Sequence, residues 1–473
     1  CDVLPEFREY ERASTTALNA YVQPTVSRYL GRIRNQAGGS RVGVMWSGGG
    51  VRGIDATIEL PVHTLYSGPA AGVLGAVWAA GRCGVRDIVT LDMGGTSADV
   101  ALVEDGRPAV AESSELAGLP FRTPCIDVVS VGAGGGSIGW VDEGGALRVG
   151  PTSAGAVPGP AAYGRGGTEA TVTDAQVVLG YLGDEGLAGG ELRLDSEAAR
   201  DAVARLGRQC GLETDEAAEG ILRVVRATMA RAIRSVSVER GRDVRRFTLV
   251  AFGGAGPLHA TALARELGIP RVIVPPAPGT LAALGLLVAG RRADASLSRP
   301  MPCDRARDVE LRSIVHELTE QVLAELRAEG IGFVDARTSL YVDCRYEGQS
   351  HELRIPVEGG PSFALVAEAF HQAHRLRFGF AHERVPVEAV TFRAAALGPQ
   401  QGVETSVGAS KDVEPFSRRT VGGRRVVVYR REDLSAGARL PGPAIVTDLD
   451  STCWIDADCT ASVDAGGSLV IDL

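Results

Sequence analysis

Two glycine turns, each at the end of a run of β-forming residues, constrain this chain more than any other feature. The first is Asp92-Met-Gly-Gly-Thr-Ser-Ala-Asp99. It is entered from Asp87-Ile-Val-Thr-Leu91 and left through Val100-Ala-Leu-Val103, which reads as strand, turn, strand. Gly94 and Gly95 carry no Cβ, so a ligand can approach their amides closely. Thr96 and Ser97 add hydroxyls, and Asp92 and Asp99 bracket the turn with carboxylates suited to a hydrated Mg²⁺. An ordinary hairpin turn with Asx-type hydrogen bonds fits the same residues. The second turn, Gly253-Gly254-Ala255-Gly256-Pro257, follows the apolar run Phe247–Phe252. It precedes a helix over about 258–267 and a strand at Arg271–Val274. Such a βαβ unit places its glycine turn where open α/β sheets bind ligands, and a flat group such as an adenine or ribose could lie on that backbone. A tight turn without a ligand is the alternative.

Composition narrows the classes. The 473 residues suggest two or three domains. A net charge of −9 argues against a nucleic-acid or anionic-membrane partner. No apolar stretch approaches the ~18 residues of a membrane span. Glycine numbers 61, nearly twice the about 33 expected at average usage, and it clusters in short motifs, as ligand loops and tight turns do. The eight cysteines are scattered, without Cys-x-x-Cys, so reduced thiols in a cytoplasmic protein are expected. The chain starts at Cys1 rather than Met and reads as trimmed or processed there.

Between the turns, residues 5–34 carry a helix pattern interrupted by Pro24, and Val42–Trp46 is a short strand. Ser67-Gly-Pro-Ala-Ala-Gly72 opens a small-residue helix that can pack closely. Residues 125–168 are dense in glycine; their Gly-x-Gly lacks a βαβ context, which excludes a dinucleotide fingerprint. Residues 217–240 form a strong helix with Ile221, Val225, Met229 and Ile233 on its apolar face; Arg223, Arg226, Arg231 and Arg234 are assigned to a solvated or interface face. Beyond Arg291 the pattern changes to an amphipathic helix, a hairpin and late strands. Residues 1–294 are therefore read as the core, and 295–473 as a separate C-terminal α+β domain.

Taken in order, these motifs resemble the hydantoinase A/5-oxoprolinase family, the nucleotide-binding subunits of ATP-dependent cyclic-amide hydrolases and of acetone and acetophenone carboxylases. The resemblance rests on Leu4-Pro-Glu-Phe-Arg-Glu-Tyr-Glu-Arg12, Ser67–Gly72, Asp92–Asp99, Val131–Gly139, Pro158–Gly167, Thr171-Val-Thr-Asp174, Phe252–Pro257 and Pro276-Ala-Pro-Gly279, with Arg345–Gln349 and Phe370-His-x-x-His374 extending it into the last domain. It implies an α/β fold with actin/sugar-kinase/Hsp70-like (RNase-H-like) lobes holding ATP. Asp92–Asp99 would be the second phosphate loop and Gly253–Pro257 the adenosine loop. The first, Asp-x-Gly-Gly-Thr-x-Thr-Asp, does not occur, so the ATPase lobes are expected to be incomplete at the N-terminus and this chain alone a poor ATPase.

The resemblance further implies ATP and Mg²⁺ (or Mn²⁺). Asp92 and Asp99 would be catalytic. Gly94, Gly95, Thr96, Ser97, Gly253, Gly254, Ala255 and Gly256 would hold the nucleotide, and Asp92, Asp127 and Asp174 are candidate metal ligands. Zinc is not favoured. Relatives often carry Cys where this chain has Ala162, and His two residues after the Asp that precedes the glycine run, where this chain has Val129. The implied activity is opening of a hydantoin- or 5-oxoproline-type ring, with ketone carboxylation or a non-catalytic scaffolding role as alternatives. A hydantoinase B-type larger subunit is the implied partner, and a homo-oligomer is compatible. His259 either contacts nucleotide or caps its helix, His374 reads as structural, and no Ser-His-Asp constellation is recognisable.

Overall fold

Alternation along Ile88–Met93 decides how the glycine turns are held. Val89, Leu91 and Met93 belong to one apolar cluster, and Ile88 to another on the opposite face. A strand with both faces buried needs helices above and below it. The computed structural model supplies them. It describes residues 3–111, 113–183, 185–330, 332, 335–400, 402–405, 407–408 and 413–473. The chain forms two compact units: one comprises Cys1–Ser67, Val110–Cys125 and Ala289–Gly402, the other Gly68–Ala109, Ile126–Val288 and Val403–Leu473.

The second unit carries both glycine turns. Its main sheet contains β1 (Ile88–Met93), β2 (Ala98–Glu104), β3 (Val128–Val131), β4 (Thr248–Phe252), β5 (Arg271–Val274), β6 (Arg439–Pro441), β7 (Thr460–Val463) and β8 (Leu469–Asp472), in the order β3-β2-β1-β4-β5-β8-β7-β6. β1, β2 and β3 are antiparallel neighbours, whereas β4 runs parallel to both β1 and β5. Three antiparallel strands followed by two parallel ones make the RNase-H-like sheet. All five residues of β4 are buried, as a central parallel strand requires. Helices Thr214–Val236 and Gly256–Leu267 cover the face of Leu91, and helix Ser67–Arg82 covers the other. The first of these helices starts at a reciprocal capping box between Glu213 and Glu216.

The small residues of Ser67–Arg82 do more than fit a sheet. A Cβ on Gly285 would lie 1.8 Å from Ala71 O, and one on Gly75 would lie 2.6 Å from Leu281 O, so the helix Leu281–Val288 rests on its backbone.

The first unit has a four-stranded antiparallel sheet ordered Arg292–Pro302, Val387–Leu397, Arg337–Tyr346, Leu353–Pro356. Helices Asp308–Ala328 and Phe363–Phe378 supply buried residues to its core. The expected helix near the N-terminus is Glu9–Gln36, and it runs through exposed Pro24 without a break.

The packing units do not follow the division at residue 294. Residues 403–473 return to the sheet of the glycine turns, where β8 pairs with β5 in four residues of register. β5 would otherwise present an open edge, and late strands that satisfy it are far away in sequence. Cys1 lies outside the described residues.

Candidate functional site

The hairpin turn between β1 and β2 is propped from one side. Gly135 N–H donates to Gly94 O at 2.9 Å, and Gly136 N–H to Gly95 O at 2.6 Å. Gly134 lies so close that a Cβ there would sit 2.4 Å from Thr96 N. The glycine-dense segment after β3 is therefore a backing for the turn. With the carbonyls engaged, the Gly95 and Thr96 N–H groups have no partner among the described residues, and both residues are exposed. A Cβ on Gly94 or Gly95 would meet nothing within 4 Å, so the space in front is open. Unpartnered amides in an exposed glycine turn suit an anion.

The second turn lies beside the first because β4 pairs in register with β1, Phe252 opposite Asp92. Gly253 has φ 76°, and a Cβ there would lie 2.5 Å from both Asp92 Oδ1 and Met93 O. Ala255 N–H donates to Met93 O at 2.9 Å, which ties the turns together. Ser451 Oγ donates to Gly253 O at 3.1 Å and is 3.3 Å from Gly254 O.

Both turns open onto one cleft of about 1220 Å³, whose walls include Gly94, Gly95, Gly254 and Ala255 together with Thr173 and Gln176. A further wall is the segment Asp448–Thr452, with Arg418 and Arg430 also at the cleft. Gln176, Asp448, Asp450 and Ser451 were not among the residues singled out in the sequence. They carry no glycine motif, and only the fold brings them to the turns.

Asp92 and Asp99 are register partners across the hairpin. Burial, and then the charge of Asp99, push the Asp92 carboxyl up to about 6. Burial raises Asp99 as well, against a lowering hydrogen bond from Ser130. Asp92 faces the side covered by Ser67–Arg82: a Cβ on Gly72 would lie 3.4 Å from its Oδ2. The helical wall of the cleft, with Thr173 and Gln176, stands on the other face of the sheet.

The three expected metal ligands are not assembled. The Asp127 carboxylate is ion-paired with Arg240. Asp174 is fully buried, and its oxygens accept from Ala161 N, Ala162 N, Thr171 N and Thr171 Oγ1. As the N3 residue it closes a capping box with Thr171, the N-cap of the helix Val172–Val178, and it anchors the Pro-Gly-Pro loop, which uses the lone pairs a metal would need. Among the described residues no group of three or more His, Cys, Asp or Glu is placed to hold a metal. Mg²⁺ keeps several waters and needs only one or two carboxylates. The Asp92–Asp99 pair fits that demand, since a divalent cation would offset the burial and the mutual repulsion that raise Asp92.

His259 is fully buried in the first turn of Gly256–Leu267, held between Gln176 and Arg226. Arg226 thus points inward, not to a solvated face. His374 is buried too, its Nδ1 2.7 Å from Phe380 O, as a structural residue would be. The seven described cysteines are free, and burial pushes the Cys83 and Cys453 thiols up to about 12, which leaves them unreactive.

An RNase-H-like α/β sheet with paired glycine turns at the ends of β1 and β4 defines the class of this protein. Residues 12–295 match the hydantoinase/oxoprolinase family, and the chain belongs to that family. It is 34% identical to the caprolactamase subunit alpha of Pseudomonas jessenii over 98% of this chain and 70% of the relative. It is 31% identical to the acetophenone carboxylase gamma subunit of Aromatoleum aromaticum over 99% of this chain and 68% of the relative. The crystal structure of the ATP-dependent caprolactamase from Pseudomonas jessenii superimposes with a TM-score of 0.87 at 31% identity, covering 100% of this chain and 71% of that one.

Proposed function

We propose that this chain is the nucleotide-binding part of an ATP-dependent enzyme that hydrolyses an amide, a cyclic one of the hydantoin, 5-oxoproline or lactam type. The observation that carries the reading is the pair of glycine turns, side by side at the ends of adjacent parallel strands, with the Gly95 and Thr96 N–H groups unpartnered among the described residues and open space at Gly94 and Gly95. ATP would supply the phosphoryl group that makes an amide oxygen a leaving group, and Mg²⁺ would offset charge on the phosphates. The chain's own residues bind and orient. Gly95 and Thr96 N–H donate to anionic oxygens, with the Thr96 and Ser97 hydroxyls beside them. Gly253–Gly256 offers flat backbone to the nucleoside. Asp92, with Asp99 opposite, would hold the hydrated cation and orient a water. A hydantoinase B-type subunit supplies the remaining machinery.

Calorimetric titration of the chain with Mg²⁺-ATP, followed by product analysis with hydantoin, 5-oxoproline and caprolactam in the presence of the partner subunit, tests the reading. Saturable binding that weakens at least tenfold in Asp92→Ala is the expected result. Unchanged binding in that variant, or no ring opening of any amide, would sink it.

A further inference from the structure

Gln176 is buried in the helix Val172–Val178, yet it reaches the cleft. It stands one turn from Thr173, whose Oγ1 donates to Gly135 O, and Gly135 in turn donates to Gly94. On its other side the terminal amide of Gln176 is 3.0 Å from His259 Nε2, on the helix that follows the second glycine turn. The helix Val172–Val178 therefore bridges the backing of the first turn, through Thr173, to the helix of the second, through Gln176.

Hydrogen-bonding logic fixes which way that amide is turned. Arg226 Nε lies 3.4 Å from His259 Nδ1 and is a donor. A guanidinium has no acceptor, so Nδ1 must offer its lone pair. The ring is fully buried, and burial and the Arg226 charge hold its pKa well below the ordinary histidine value. A neutral imidazole has a single N–H, and with Nδ1 accepting, that proton resides on Nε2. Nε2–H then needs an acceptor, and the only acceptor of Gln176's amide group is Oε1. An amide's O and N exchange places by a half-turn about its last bond. With Oε1 on the histidine, the NH₂ group takes the remaining position. That position has no hydrogen-bond partner among the described residues and is not among the buried unpartnered atoms, so it opens on the cleft.

We propose that Gln176 is a ligand-recognising residue that presents N–H donors to the cleft, oriented by the Nε2–H tautomer of His259, and that these donors bind an oxygen of the nucleotide. The ligand named here rests on the nucleotide reading above; the orientation of the amide does not. His259 is a positioning residue: it touches no ligand and acts by denying Gln176 the reversed orientation. Arg226 sets the tautomer through its own bond to Nδ1.

Two measurements test this. In the ¹⁵N-labelled 473-residue chain, the His259 ring should show a directly bonded proton on Nε2 and the shift of an unprotonated nitrogen at Nδ1; a proton on Nδ1 would overturn the proposal. In Gln176→Glu the carboxylate can still accept from Nε2–H, but the cleft loses its donor and gains an acceptor. Affinity for Mg²⁺-ATP should fall at least tenfold by calorimetry, with the unfolding transition retained. Parallel titration with adenosine separates the source of the oxygen: a loss confined to ATP assigns a phosphate oxygen, and a loss shared by adenosine assigns the ribose. Affinity equal to the unsubstituted chain overturns the role of Gln176. Failure of the unsubstituted chain to bind either probe overturns the nucleotide reading and the ligand named with it, while the ring signature still decides the orientation of the amide.

Discussion

Asp92 concentrates the cost and the use of this site in one carboxyl. Its pKa lies at about 6 because burial and the facing Asp99 both disfavour its charge. A carboxyl with a folded-state pKa above its unfolded value of 3.8 favours folding fully when both states are protonated, and that contribution is lost as pH rises from about 4 through about 6. Asp92→Asn should therefore raise the stability of the ligand-free protein at pH 8, by about 1–3 kcal/mol, and leave it unchanged near pH 3.5. Thermal unfolding at the two pH values checks this. Mg²⁺-ATP binding has the opposite sign: it needs the ionised pair, so affinity should drop as pH falls below about 6. Asp174 makes the complementary case. Its four hydrogen bonds hold a capping box and a loop, so Asp174→Ala should cost about 2–4 kcal/mol in urea denaturation. Mn²⁺ affinity at Asp92, followed by calorimetry at a temperature where the variant stays folded, should not change.

Packing of whole elements is tightest where two helices touch backbone to backbone. Gly285→Ala would drive a methyl to 1.8 Å from Ala71 O, and helix Leu281–Val288 would have to lift off Ser67–Arg82. A loss of about 2–4 kcal/mol is expected, read from the unfolding midpoint, although alanine is the better helix former. Local elements of this kind show plainly in sequence. The strand–turn–strand at Asp87–Val103 and the strand–turn–helix at Phe247–Leu267 are short-range patterns, and both are present. Their adjacency is less local, since it depends on the register of β1 with β4 across some 160 residues of chain. Gln176, Arg226 and His259 meet from three separate helices, and Asp448–Ser451 arrives from a strand region much later in the chain. No spacing or periodicity encodes such meetings. The apolar face of Thr214–Val236 could be read from its periodicity, but the inward turn of Arg226 could not, because it depends on a buried acceptor on another helix.

Over the whole molecule, the same distinction explains why chain order and packing order differ. Residues 403–473 contribute β6, β7 and β8, and β8 continues the sheet from β5, with Arg271 paired to Asp472 in register and by an ion pair at 2.7 Å. Leu440, Ala461, Leu469 and Ile471 are buried in the same apolar cluster as Leu91 and Leu249. Asp448–Thr452, from the same tail, forms part of the cleft wall. If 295–473 folded as an independent domain, ending the chain at Gly402 would leave the glycine turns intact. The packing demands the reverse. Such a truncation exposes the edge of β5, removes the hydroxyl that binds the Gly253 and Gly254 carbonyls, and uncovers a large apolar face. A 1–402 fragment should show no cooperative unfolding transition for the unit that holds the turns, and no Mg²⁺-ATP binding. Adding residues 403–473 as a separate polypeptide should restore both in part, because most of the lost contacts are strand pairing and apolar burial between the two pieces. Calorimetry on the fragment alone and on the mixture distinguishes the alternatives. Full nucleotide affinity in 1–402 would place the late strands outside the folding unit of the site, whereas recovery only on mixing makes the tail an integral part of the sheet that presents Asp92–Asp99.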